Sequence, residues 1–356
     1  MLLLFDPEPP FVRWCAVDGG RYAEHRTTAS GDWPKDVFDG LGKSQKVEAV
    51  GYLLYHGGEE VREPVSILSE ELLAKMERSV IHAPDANEMT LRLVRLWSER
   101  LPDIPHLVCC DTAFFATLPA RASTYAVPYE LRSRGMKRYG GYGLYHQWAW
   151  EHIRMQDSVH AEKLLSIFLG NHPNIAAIEH GAAVETSLGF TPVEGIPSST
   201  TSGDIDPTII FQLLSRGMAL EEINLMLSRE SGFTGLAGKV TTFSDLMKGW
   251  DEPEMVMARE NLRYNVLKYA GALIAVAGGV DTIVFLTDHT GKPERFITEI
   301  CHGLEFLGTK CTVSPHTIQN GGKLSDADSS IGVSWLRCNK WEILVHMLTT
   351  LKNQEA

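Results

Sequence analysis

Positive charge is short in this sequence: 33 Lys and Arg stand against 45 Asp and Glu, a formal net charge of −12. That deficit argues against a nucleic-acid partner, whose affinity rests on many cationic contacts to phosphate. Any site for an anionic nucleotide has to gather positive charge locally, against the field of the whole chain. The six cysteines include no CxxC pair and no disulfide-framework spacing, so buried, reduced thiols are expected. Long hydrophobic runs are also missing. Met1–Phe5 is too short for a signal peptide and acidic Asp6 follows at once. The most apolar window, Ala270–Leu286, is interrupted by Gly278-Gly279-Val280-Asp281 and reads as helix, turn and strand, not as a membrane span. There is no low-complexity segment and no solenoid repeat. A cytoplasmic protein is expected, with neither membrane nor nucleic acid among its partners.

What is present is ample apolar material: 356 residues at 44% hydrophobic suffice for two globular domains with separate cores. Two regions open alike. Leu2–Phe5, a break, and a strand over Phe11–Val17 precede Asp18-Gly19-Gly20. Leu164–Leu169, a break at Gly170–Pro173, and a strand over Ile175–Ile178 precede His180-Gly181. A strand, tight turn and strand repeated roughly 160 residues apart predict two homologous α/β domains. Val47–Tyr55 reads as a strand running into His56-Gly57-Gly58, and Leu107–Cys110 as one that delivers Asp111 at its carboxyl end. Glu254–Ala277 carries one helical apolar stripe, and Ile283–Leu286 is a buried strand.

The segment Val184–Pro207, VETSLGFTPVEGIPSSTTSGDIDP, resembles the signature of the acetate kinase family, DTS-x-GFTP-x-EG followed by GTR-x-G-x-IDP. The likeness extends from Val47 to Asn339. DTAFFATLP at Asp111–Pro119, YAVPYELRSRGMKRYGGYG at Tyr125–Gly143, FLGN at Phe168–Asn171 and SGFTGLAGKVTTFSDL at Ser231–Leu246 each look like family segments in the family's order. The resemblance implies an α/β fold of two ribonuclease-H-like domains with a central cleft, the type shared by acetate and sugar kinases, actin and the 70-kilodalton heat-shock proteins. It places the first domain at 1–140, with a C-terminal helix at 341–356 returning to it, and the second at 141–340. It also implies a homodimer formed through the second domain; no other protein partner can be read from the sequence.

The family's chemistry is phosphoryl transfer, which needs cations and hydrogen-bond donors around the equatorial oxygens. Several positions implied by the resemblance carry something else here. The phosphate loop falls on Asp6-Pro7-Glu8-Pro9-Pro10, where three prolines lack an N–H and two carboxylates repel phosphate. Arg13 is a conceivable stand-in for the family lysine. The two family arginines fall on Leu53 and Thr201, and family histidines on Tyr52, Phe115, Tyr142 and Phe168. The metal-serving glutamate falls on Lys340, which inverts the charge Mg²⁺ needs.

Retained family-equivalent positions are Asp111 and His146 on the catalytic side, His82 on the substrate side, and Gly170, Asn171 and Gly291 on the nucleotide side. Asp111 and Asn171 also have ordinary structural uses, as a helix cap and a turn residue. His82, His146 and His172 lack the spacing of a metal site. The main expectation is a non-catalytic scaffold or regulatory homologue needing no cofactor and no metal. One alternative is a short-chain carboxylate kinase using ATP and Mg²⁺, its cations drawn from Arg138, His146, His172 and Lys340. Another is a sensor of a nucleotide or small ligand.

Overall fold

The computed structural model describes residues 1–28, 37, 46–156, 162–288, 292–313 and 321–354; past residue 350 only the backbone is described. β1 (Leu2–Glu8), β2 (Phe11–Asp18) and β3 (Arg21–Thr28) form an antiparallel meander. The break expected at Asp6–Pro10 is shorter than the sequence suggests. β1 runs on through Asp6, Pro7 and Glu8, paired with Arg13, Val12 and Phe11, and only Pro9 and Pro10 form the turn. Proline is tolerated because the parallel ladder to β4 (Ala49–Leu54) ends at Phe5 opposite Tyr52. Pro7 lies past that ladder, so its missing N–H removes no bond from it.

β6 (His106–Cys110) extends the sheet in parallel beside β4, and β5 (Val65–Ile67) closes its edge, giving the order β3-β2-β1-β4-β6-β5. The second sheet repeats this plan. β7 (Lys163–Leu169), β8 (Asn174–Glu179) and β9 (Ala182–Thr186) form the meander. β10 (Thr282–Thr287) and β12 (Gly332–Arg337) lie parallel to β7, and β11 (Gly322–Lys323) pairs antiparallel at the edge. The order β11-β12-β10-β7-β8-β9 mirrors the first sheet strand for strand. Two α/β units of one ribonuclease-H-like design thus follow from the doubled strand–turn–strand pattern.

Each unit has its own core. In the first, Phe5 packs on Trp97 of α2 (Pro84–Arg100) with ring centroids 5.3 Å apart, beside α1 (Glu70–Ser79), whose amino end Ser69 caps. In the second, α8 (Pro253–Val276) lays Leu262, Val266, Ala270 and Leu273 against Ile167, Ile175 and Phe285. That burial is the stripe expected over Glu254–Ala277.

By contacts, one compact unit comprises Met1–Ala116, Gly141–Leu144 and Lys340–Ala356, and the other Thr117–Gly140 and Tyr145–Asn339. This division differs from the expected 140/141 boundary mainly in residues 117–140, which group with the second unit. The final helix, α10 (Lys340–Gln354), belongs to the first unit. Gly51 makes room for it, since a Cβ there would meet Leu348 Cδ1 at 2.7 Å. Among the described residues no helix is long and apolar enough to cross a membrane.

Candidate functional site

In an open α/β sheet the carboxyl ends of the parallel strands carry the functional groups. In the first unit those ends present Asp6 on β1, Tyr55 after β4 and Asp111 after β6. The first residue of α10, Lys340, reaches the same place. Asp6 is 0% exposed, and its two oxygens are taken by different partners. Lys340 Nζ donates to Oδ2 at 2.7 Å, and the Tyr55 hydroxyl donates to Oδ1 at 2.7 Å. Arg13 Nη1 stands 3.8 Å from Asp6 Oδ2, 3.8 Å from Glu8 and, through Nη2, 3.9 Å from Glu24. A buried carboxylate persists only if paired and hydrogen-bonded, and Asp6 is both. Burial, with Asp6 as the next contributor, holds the Tyr55 hydroxyl well above its usual range, so it remains a donor.

Asp111 terminates β6 and accepts a 2.6 Å bond from the Tyr142 N–H. Burial pushes its carboxyl up to about 6; the Tyr142 and Leu144 N–H groups and Lys340 pull the other way, and Asp6 adds to the rise. The carbonyl of Asp111 accepts from Gly143 N at 3.1 Å. Only glycine fits there, because a Cβ would sit 2.3 Å from that same carbonyl oxygen. Asp111 therefore anchors the start of α3 (Gly143–Gln156).

The turn after β4 is held by polar groups. His56 Nδ1 accepts from Gly58 N at 3.0 Å, and Asn87 brackets the His56 backbone on both sides. The His56 ring stacks on His82 at 4.6 Å. Burial and then the neighbouring His82 pull His56 down to about 3. His82 thus lies on the first unit's Gly57-Gly58 turn, where a Cβ on Gly58 would meet its ring at 3.2 Å.

In the second unit, His146 is 0% exposed. Its Nδ1 lies 2.8 Å from Ser166 Oγ and its Nε2 2.6 Å from Asn174 Oδ1. Since Asn174 Oδ1 can only accept, Nε2 carries the proton and Nδ1 accepts from Ser166. Burial pulls this ring down to about 4, with the Asn174 bond opposing. Phe168 packs edge-on against Tyr145 at 5.0 Å, and a Cβ on Gly170 would meet its ring at 2.9 Å. Asn171 Oδ1 accepts from Phe243 N at 3.0 Å, and its carbonyl accepts from Ser199 N at 2.7 Å. Thr201 is buried, its hydroxyl donating to Ser198 Oγ at 2.7 Å. Arg138 is bound by Glu185 and Glu194 at 2.8 Å each, and Glu194 also takes the Tyr125 hydroxyl.

The structure thus groups Asp111 with Asp6, Tyr55 and Lys340 in one unit, and His146 with Ser166 and Asn174 in the other. Gly291 lies outside the described residues. Asp6 and Tyr55 were missed as candidate site residues. The available signal was the opposite charge of Asp6 and Lys340, at two positions where the family resemblance expects neither.

The doubled sheet plan, with functional groups at the carboxyl ends of its parallel strands, defines a two-domain phosphotransferase-type α/β fold. Solved structures with this fold include the acetate kinase of Entamoeba histolytica, TM-score 0.88 at 20% identity, covering 98% of this chain and 99% of that one. Another is the acetate kinase of Porphyromonas gingivalis, TM-score 0.86 at 23% identity, covering 98% and 99%. The description "Acetokinase family" matches residues 37–345, and the chain belongs to that family. It is 36% identical over 305 residues to the acetate kinase of Coprothermobacter proteolyticus, covering 83% of this chain and 76% of that protein.

Proposed function

We infer that this acetokinase-family chain does not transfer phosphoryl groups and serves as a scaffold or regulatory homologue of its enzymatic relatives. The observation that carries this reading is the segment Asp6–Glu8, which is a strand paired to β2 and not an open loop. A phosphate cradle needs converging N–H groups; here Pro7 has none, and Asp6 and Glu8 add negative charge. The remaining positions agree. Leu53 is buried at the place of one family arginine, and Thr201 closes on Ser198 at the other. A transition-state arginine alone is worth about 10³–10⁵ in rate.

Retained kinase activity is a second reading, favoured by the 36% identity to an acetate kinase. It would draw on Arg138 and Lys340, but both are committed to carboxylates of their own unit, and the His146 ring is neutral and enclosed. ATP and Mg²⁺, which the family resemblance implies for an active enzyme, have no step in the non-catalytic reading. Trapping of acyl phosphate as hydroxamate, with ATP, Mg²⁺ and acetate or propionate, separates the two. Background rates support the scaffold, and clear turnover supports the kinase.

The homodimer belongs to the same proposal. α4 (Thr208–Ser215), with sequence TIIFQLLS, has no buried residue. Ile209, Phe211 and Leu214 on it, and Leu220 and Leu225 on α5 (Leu220–Leu225), are 41–64% exposed. An exposed apolar helix needs a cover, and a second copy of this unit supplies one.

A further inference from the structure

Resting on the non-catalytic reading, we propose that the Lys340 ammonium is a built-in cation that excludes a divalent metal from the end of the first sheet. The carboxylates that could attract a metal there are Asp6 and Asp111. Asp6 has spent both oxygens, one on Lys340 Nζ and one on the Tyr55 hydroxyl, each at 2.7 Å. Asp111 accepts from backbone N–H groups and lies in the field of Lys340. Among the described residues no three His, Cys, Asp or Glu side chains gather as a metal-binding group. Mg²⁺ and Mn²⁺ require free oxygen ligands, so the residues present do not fit the metal that the family resemblance implies.

The ammonium is fixed there by three features. Lys340 opens α10, which Leu348 seats against Gly51 of β4. Its Nζ also lies 3.4 Å from the Tyr55 hydroxyl. Its counter-ion, Asp6, is shut away from water. Glu8, a further carboxylate nearby, stands against Arg13. Lys340, Asp6 and Tyr55 form one charge-balanced knot, and a metal entering it would have to displace the ammonium from the buried carboxylate it neutralises.

Mn²⁺ binding by the full chain, followed by electron paramagnetic resonance of the free ion without nucleotide, tests this directly. The unaltered protein is expected to bind none at this site at millimolar Mn²⁺. Asp6→Asn/Lys340→Glu keeps two carboxylates at the sheet end but removes the ammonium, and is expected to bind one Mn²⁺ roughly tenfold or more tightly. One sub-millimolar site in the unaltered protein, lost on Asp111→Asn, overturns the proposal. So does silence in the double variant once circular dichroism shows it folded. If that variant does not fold, the unaltered protein still decides. Kinase turnover without added metal would sink the non-catalytic reading and leave this inference standing.

Discussion

Breaking the Lys340–Asp6 pair from its two sides should not cost the same. At 2.7 Å and an effective dielectric of about 20, the gross attraction is about 6 kcal/mol. Most of this offsets the desolvation of the two charges. Truncating one partner instead strands the other, and the cost then depends on which one is stranded. Asp6 is 0% exposed while the Lys340 side chain is 20% exposed. Lys340→Ala leaves a buried carboxylate with the Tyr55 hydroxyl at 2.7 Å and Arg13 at 3.8 Å, and should cost about 3 kcal/mol. Asp6→Asn leaves an ammonium that can turn toward water, and should cost about 1–3 kcal/mol. Native-state hydrogen exchange at the amides of Leu3–Phe5 reads the stability of the first unit alone. The double variant Asp6→Asn/Lys340→Met should be less destabilised than the sum of its singles. A cost for Lys340→Ala under about 0.5 kcal/mol, or a larger cost for Asp6→Asn, would refute the reasoning.

Two further outcomes are expected. His146 is neutral in the folded chain, its pKa pulled to about 4, against about 6.5 unfolded. Its contribution is fully present above pH 6.5 and lost as pH falls toward 4, by about 3 kcal/mol; His56, pulled to about 3, acts in the same direction. Asp111, raised to about 6, opposes them by gaining its proton. Urea titrations between pH 7 and pH 4 should therefore show stability falling. His146→Gln should flatten the slope; parallel slopes would contradict the neutral, enclosed ring. Phe211, 64% exposed on α4, should lie in a homodimer, so Phe211→Asp should halve the mass seen in sedimentation equilibrium. A chain that is monomeric before substitution removes the dimer.

The fold was legible because its signals are local. Strand–turn–strand patterning at Leu2–Val17 and again at Leu164–Ile178 needs no long-range information, and the apolar stripe of Glu254–Ala277 fixes a helix by period alone. The course of β1 was less legible. Asp6-Pro7-Glu8-Pro9-Pro10 has loop composition, and proline argues against a central strand. What decided otherwise was register, because β4 stops pairing at Phe5 and leaves Pro7 beyond the ladder. The site was legible by position and not by partnership. Lys340 stood out as a reversed charge, yet its partners Asp6 and Tyr55 lie 334 and 285 residues away in sequence. No periodicity carries such a pairing. Likewise, the retained His146 looks the same in sequence whether it faces a ligand or, as here, Ser166 and Asn174.

The central claim is that the grip on a travelling phosphoryl group has been replaced by internal pairing. Its most direct test is ATP formation from acetyl phosphate and ADP with Mg²⁺, read by luciferase against an enzyme-free control. The account predicts a rate indistinguishable from that control, at any substrate concentration. Sustained ATP formation at about 1 s⁻¹ or faster, the ordinary range for enzymes, would contradict it.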